Sequence, residues 1–210
     1  QARETGLPFP AFGFPSEEAR QGAVRETARG PVKVPGLGGL NVREANSVAV
    51  VNLEDPAAPR VEAFIPTGLP VGGAVAGGSS PSGIVAAADR VYVSNAHNDS
   101  ITVIDAKTNQ VAGEIPLRIP GLENLRGILP IGLALDPQSG RLLAAEAGIN
   151  AVGVIDTRQM RVLGHLPVGW FPTRVVLDRG SVYVSNAKGH GVGPNADRAG
   201  NPIQTETFLS

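Results

Sequence analysis

The stretch "VYVSNAHNDSITVIDAKTNQV", Val91 to Val111, decides the fold, because its shape returns as "RLLAAEAGINAVGVIDTRQMRV", Arg141 to Val162. In both copies short runs of Val, Ile, Leu and Ala alternate with Asn, Asp, Gly and Thr. Such runs, bounded by turn residues every 8 to 12 positions, read as short β-strands. The third and fourth runs are joined by "DAKTN" in one copy and "DTRQM" in the other. Asp105 and Asp156 therefore share a repeat position, where a carboxylate accepts backbone N–H groups and closes a turn.

Working outward, three prolines anchor the repeat: Pro81, Pro130 and Pro172, each three positions after a glycine and each leading into an apolar run. They stand 49 and 42 residues apart, and the longer interval holds the insertion "RIPGLENLRG", so the underlying period is near 40. That period belongs to four-stranded propeller blades. In the best copy the strands are expected at Ile84–Ala87, Val91–Ser94, Ile101–Ile104 and Val111–Ile115. A weaker copy, "SVAVVNLEDPAAPRVEAFIP", supplies an outer half-blade upstream, with Asn52 at the Asp105 position. Downstream, "PTRVVLDRGSVYVSNAKG" supplies an inner half.

The fold class expected is thus all-β: blades of four antiparallel strands, with an incomplete ring within this chain. Two whole blades and two halves fall short of the four to eight that close a propeller, so the chain is expected to be part of something longer. Residues 1–46 form an irregular segment or degenerate blade, 47–189 the blades, and 190–210 a Gly/Pro-rich tail or linker. Within the first, "PSEEARQGAVRETARG" is expected to hold one short helix, with Ser16 as N-cap and Glu17 and Glu18 in its first turn.

Composition excludes several classes. With 18 basic against 19 acidic residues and no basic block, the footprint of a nucleic-acid binder is missing. No apolar run approaches the length of a membrane-spanning helix. The absence of cysteine removes disulfides and thiolate chemistry.

No catalytic constellation is found and no cofactor is implied. HExxH, Walker and G-x-S-x-G motifs are missing, and "GSSPSG" fails the last spacing. Of the three histidines, His165 is expected on a solvated outer face of the fourth strand. His97 and His190 lie near equivalent loop points, with Asn95, Asp99, Asn186 and Asp197 nearby, but at no zinc or calcium spacing. Trp170 and Phe171, adjacent in an aromatic-poor chain, sit before an inner strand, where a propeller presents its axial funnel. The candidates for a ligand- or partner-facing surface are Trp170, Phe171, Asn95, His97, Asn186 and His190, with no catalytic or metal-ligating set.

Tyr92-Val93-Ser94-Asn95 and Tyr183-Val184-Ser185-Asn186, with "VIDAKTNQVAGEIPL", resemble the YVTN-type (YncE-like) β-propeller repeat, with Ser in place of Thr. The middle copy departs, as Leu143-Ala144-Ala145-Glu146. Together with "NAKGHGVGPN", the segment looks like the propeller part of exported bacterial proteins that join such a propeller to an alkaline-phosphatase-superfamily phosphoesterase. That resemblance implies a periplasmic or extracellular location and a hydrolase domain outside these residues. Three roles follow as expectations: a non-catalytic binding or positioning module, the propeller part of a metal-dependent phosphoesterase, or a structural subunit completed by another chain. The partner expected is a protein or the remainder of a longer chain, not a nucleic acid.

Overall fold

A computed structural model describes residues 21–35, 45–69 and 78–188, and the chain divides into two compact units, 1–45 and 46–210. In the first unit β1 (Gly22–Thr27) and β2 (Gly30–Pro35) form an antiparallel hairpin, paired from Gly22↔Pro35 to Thr27↔Gly30. The helix expected across this stretch is therefore wrong for Gly22–Thr27. The residues alternate between half-buried and exposed with a period of two, and alternation selects a strand. Gly30, at φ +101°, reverses the chain, and the Thr27 hydroxyl closes the turn by donating to the Gly30 carbonyl at 2.7 Å. Ser16, Glu17 and Glu18 lie outside the described residues.

The second unit holds twelve strands among its described residues. β3 (Ser47–Asn52) and β4 (Arg60–Pro66) form one hairpin. β5 (Pro81–Ala87), β6 (Arg90–Asn95), β7 (Ser100–Asp105) and β8 (Gln110–Pro116) make a four-stranded meander. β9 (Pro130–Asp136), β10 (Arg141–Glu146), β11 (Ala151–Asp156) and β12 (Arg161–Pro167) make a second, and β13 (Pro172–Asp178) and β14 (Ser181–Asn186) a closing hairpin. This is the expected arrangement of an outer half-blade, two whole blades and an inner half-blade.

Blades stack face to face because a single sheet leaves both faces wet. Ile65 of β4 packs on Val93 and Ile104 of the first whole blade. Tyr92, Ile101, Val103 and Ile115 of that blade meet Leu142 and Ile155 of the next. Leu143, Ala145 and Val152 of the second blade in turn cover Val175 of β13. At the inner strands the backbones themselves approach: a Cβ on Gly83 would lie 2.3 Å from the Ile131 carbonyl oxygen. The Ser94 hydroxyl accepts the Gly83 N–H at 2.8 Å and donates to the same Ile131 carbonyl at 3.1 Å. The serine of the Tyr-Val-Ser-Asn signature is thus a stitch between neighbouring inner strands.

The two turn aspartates behave as their repeat position demands. Asp105 Oδ1 accepts the N–H groups of Lys107 and Thr108, each at 3.0 Å, and Asp156 Oδ1 those of Arg158 and Gln159. Their other oxygens hold Arg90 and Arg141. The Arg90 bond, followed by the two backbone bonds, holds the Asp105 carboxyl down at about 2. A carboxylate depressed in the folded state stabilises above its ordinary range near pH 4, and this contribution disappears as pH falls towards 2. The melting temperature is therefore expected to drop over that window. Asp105→Asn should make the drop shallower in a pH series of thermal melts, and an unchanged slope would remove Asp105 from acid sensitivity.

Candidate functional site

One end of the stacked blades carries Pro81, Asn95, Ser100 and Pro116, which the strand registers place side by side; the turn aspartates lie at the other end. Backbone clips repeat three times at this first end. Asn46, Asp99 and Asn150, with φ of 50°, 49° and 56°, occupy one repeat position just before or at the start of the third strand. Asn and Asp tolerate this left-handed geometry better than other side chains. Their side-chain oxygens accept the N–H groups of Ser80, Leu129 and Phe171, the residues before the three anchor prolines. Their carbonyls accept Thr67, Leu117 and Val168 N–H. Each residue therefore fastens one blade to the connection that enters the next. Asp99 also takes the Gly127 N–H at 2.8 Å, so its carboxylate is filled by backbone donors.

The candidate surface residues fall at this end with unequal exposure. Asn95 is fully buried; its amide donates to Thr102 Oγ1 at 2.8 Å and to Glu114 Oε1 at 3.0 Å. It does not face solvent. His97 is exposed, with its N–H tied to the Ser79 carbonyl. Asn186 is exposed, while Trp170 and Phe171 are half-buried, with their carbonyls accepting Lys188 and Ala187 N–H. The Lys188 ammonium stands 5.2 Å from the Phe171 ring centre. His190 and Asp197 lie outside the described residues. Among the described residues, no three His, Cys, Asp or Glu side chains gather as a metal site would require.

His165 corrects the expected solvated position. Its side chain is only 12% exposed, with Nδ1 at 2.6 Å from Oε2 of fully buried Glu146 and Nε2 at 3.1 Å from the Arg118 carbonyl. The cause is a β-bulge. The β11–β12 register shifts between Val154 and Ile155, placing two residues of β12 against one and turning Val162 and His165 to the same face. β7–β8 and β3–β4 slip at the same repeat position.

Glu146 stands where Asn95 stands in the preceding blade, and His165 where Glu114 stands. The carboxylate and its partner have exchanged strands. In the first blade Ser100 and Thr102 hydroxyls also donate to Glu114; their counterparts are Ala151 and Gly153. The glycine leaves room for the exchange: a Cβ there would lie 2.3 Å from Glu146 Oε1 and 2.8 Å from its Cδ, so a larger residue would force the buried carboxylate to shift. Oε1 is left buried without a hydrogen-bond partner, and burial pushes the Glu146 carboxyl up against the opposing pull of His165. Since a carbonyl can only accept, His165 Nε2 carries a hydrogen, and one proton is shared between Nδ1 and Glu146. Both ring nitrogens are thereby committed.

Beside this node, Leu69 of the connection after β4 joins Ser100, Glu114 and Pro116 of the first whole blade, and Arg118 just after it, in lining a cleft of about 350 Å³. Asn98 forms one wall. It accepts the Leu69 N–H and donates to the Gly78 carbonyl at 3.2 Å, holding both ends of the connection between β4 and β5.

No protein-family model and no curated protein matches the chain. Solved structures do. Virginiamycin B lyase from Staphylococcus aureus aligns over 83% of this chain at 15% identity with a TM-score of 0.50. The fold is that of a β-propeller. A hydrazine synthase of Kuenenia stuttgartiensis aligns over 55% of the chain at 22% identity (TM-score 0.46), and a glutaminyl cyclase of Myxococcus xanthus over 68% at 12% (TM-score 0.45). The propeller segment spans 52% of the lyase chain, 31% of the synthase and 60% of the cyclase.

Proposed function

We propose that this propeller segment is a non-catalytic module of an exported bacterial protein of the YVTN type. It would present the end formed by its second-to-third-strand loops and blade-to-blade connections as a binding or positioning surface. The observation that carries this reading is the use to which polar groups are put there. Asp99 and Asn150 are spent on backbone clips, and the Glu146–His165 pair on itself and the Arg118 carbonyl. A general base must reach a substrate proton, and these groups are turned inward. The phosphoesterase that the sequence resemblance implies would then lie in another part of a longer protein.

The chain of 210 residues is expected to leave p-nitrophenyl phosphate unhydrolysed in the presence of zinc, magnesium or manganese. Metal-dependent turnover abolished by His97→Ala or His190→Ala would replace this reading with the phosphoesterase one.

A second reading, a structural subunit completed by another chain, is favoured by the last half-blade. Among the described residues β14 pairs only with β13, and Tyr183 is 59% exposed where its counterpart Tyr92 is 6% exposed under the next blade. Open strand edges are templates for pairing. A well-folded monomer in dilute solution, by light scattering, would remove that reading.

A further inference from the structure

We infer that the cleft beside β8 binds a small zwitterion of the α-amino-acid class, with its ammonium on Glu114 and its carboxylate on Arg118. This rests on the binding-surface reading and gives it a ligand chemistry. Both charged side chains line the one cleft. Among the described residues, neither makes an ion pair with the other or with any third group.

Each is held in place from behind. Glu114 accepts from Asn95, Ser100 and Thr102, so its carboxylate is oriented without being neutralised by a cation. Arg118 donates from a single nitrogen to the carbonyls of Asp99 and Leu117. A guanidinium has five N–H donors in a planar fork, and the other edge is left for a carboxylate, its preferred bidentate partner. Leu69 and Pro116 add apolar wall. A cleft of this volume lies at the small end of small-molecule sites. A ligand with one charge would leave the opposite group of the protein unanswered; a zwitterion with a short apolar side chain answers both.

The test uses L-leucine as probe, with isopentylamine and 4-methylpentanoate as the same body bearing only one charge. Binding is followed through amide resonances of the whole chain. Leucine is expected to shift signals around Leu69, Ser100 and Glu114 with saturation in the millimolar range, and the two single-charge analogues to bind at least about tenfold more weakly. Glu114→Gln and Arg118→Met should each weaken leucine about tenfold or more. Arg118→Met should leave isopentylamine unchanged, a readout that general loosening of the cleft would not reproduce. Thermal melts of both variants identify any that fails to fold, and the other variant then decides. No saturable shift with leucine, equal binding of all three probes, or indifference to both substitutions would overturn the inference. Failure here, without phosphate-ester turnover, would still leave a surface for a macromolecular partner, so the two readings fail separately.

Discussion

Replacing His165 with alanine is expected to cost about 3–5 kcal/mol of stability at neutral pH, the usual effect of removing one partner from a buried charged pair. Glu146 is fully buried. Without His165 its carboxylate would keep neither the shared proton nor a nearby cation, and its second oxygen already has no partner. The loss should also depend on pH in a definite direction. Burial raises the Glu146 carboxyl above its ordinary range. For an acid raised in the folded state, the contribution is present at pH below the unfolded value and lost as pH rises through the folded one. Removing His165 takes away the group that opposes this rise. The variant should therefore be closest to the parent near pH 4 to 5 and furthest from it above pH 7, as measured by urea unfolding at several pH values. An equal deficit at every pH would mean that His165 contributes packing alone.

Glu146→Gln separates charge from shape. The amide keeps the volume next to Gly153 and can donate to His165 Nδ1 while Nε2 still donates to the Arg118 carbonyl. It removes the ionisable carboxyl, so the alkaline side of the stability profile should flatten without the loss seen for His165→Ala.

Much of this architecture is legible in the sequence, because it is written in quantities that repeat. The anchor prolines, the strand runs and the aspartates at 105 and 156 recur at fixed offsets, and each has a local cause: a strand start, a pleat or a turn. The Glu146–His165 node is not legible by the same means. Simple alternation along β12 puts His165 on the wrong face, and only the bulge opposite Val154 and Ile155 corrects the phase. One signal was available. Glu114 and His165 share a repeat position, as do Asn95 and Glu146, so the two departures from the repeat compensate each other across neighbouring strands. The clips at Asn46, Asp99 and Asn150 recur at one repeat position, but an Asn or Asp ahead of a strand reads as an ordinary turn residue, and nothing in the pattern shows that its side chain reaches the connection entering the next blade. At β1 the alanines and charges of "GAVRETARG" suit a helix by propensity, yet the Gly30 reversal and alternating burial make a hairpin. Pairing with a neighbouring strand outweighed propensity there.

The blade interface supplies the second large effect. Leu142→Ala is expected to destabilise the protein by about 2–5 kcal/mol, the range for truncating a fully buried leucine in a core that only partly collapses. Leu142 has no solvent exposure and lies in the cluster that joins the two whole blades, with Ile101 and Ile115 opposite it. The wall across the gap belongs to a different sheet, so neither sheet can close the cavity without moving against its own hydrogen-bonded register. Val176→Ala is the internal control. It removes a comparable side chain from β13, but at a site 49% exposed, where surface substitutions stay within about 0.5 kcal/mol. If blades are held chiefly by the face between them, Ile101→Ala combined with Leu142→Ala should also depart from additivity, by roughly 0.5–3 kcal/mol, as contacting residues do. Strict additivity of the pair, or a Val176 effect as large as that of Leu142, would mean that each sheet is stable on its own. The repeat would then be a string of independent units, with no shared core.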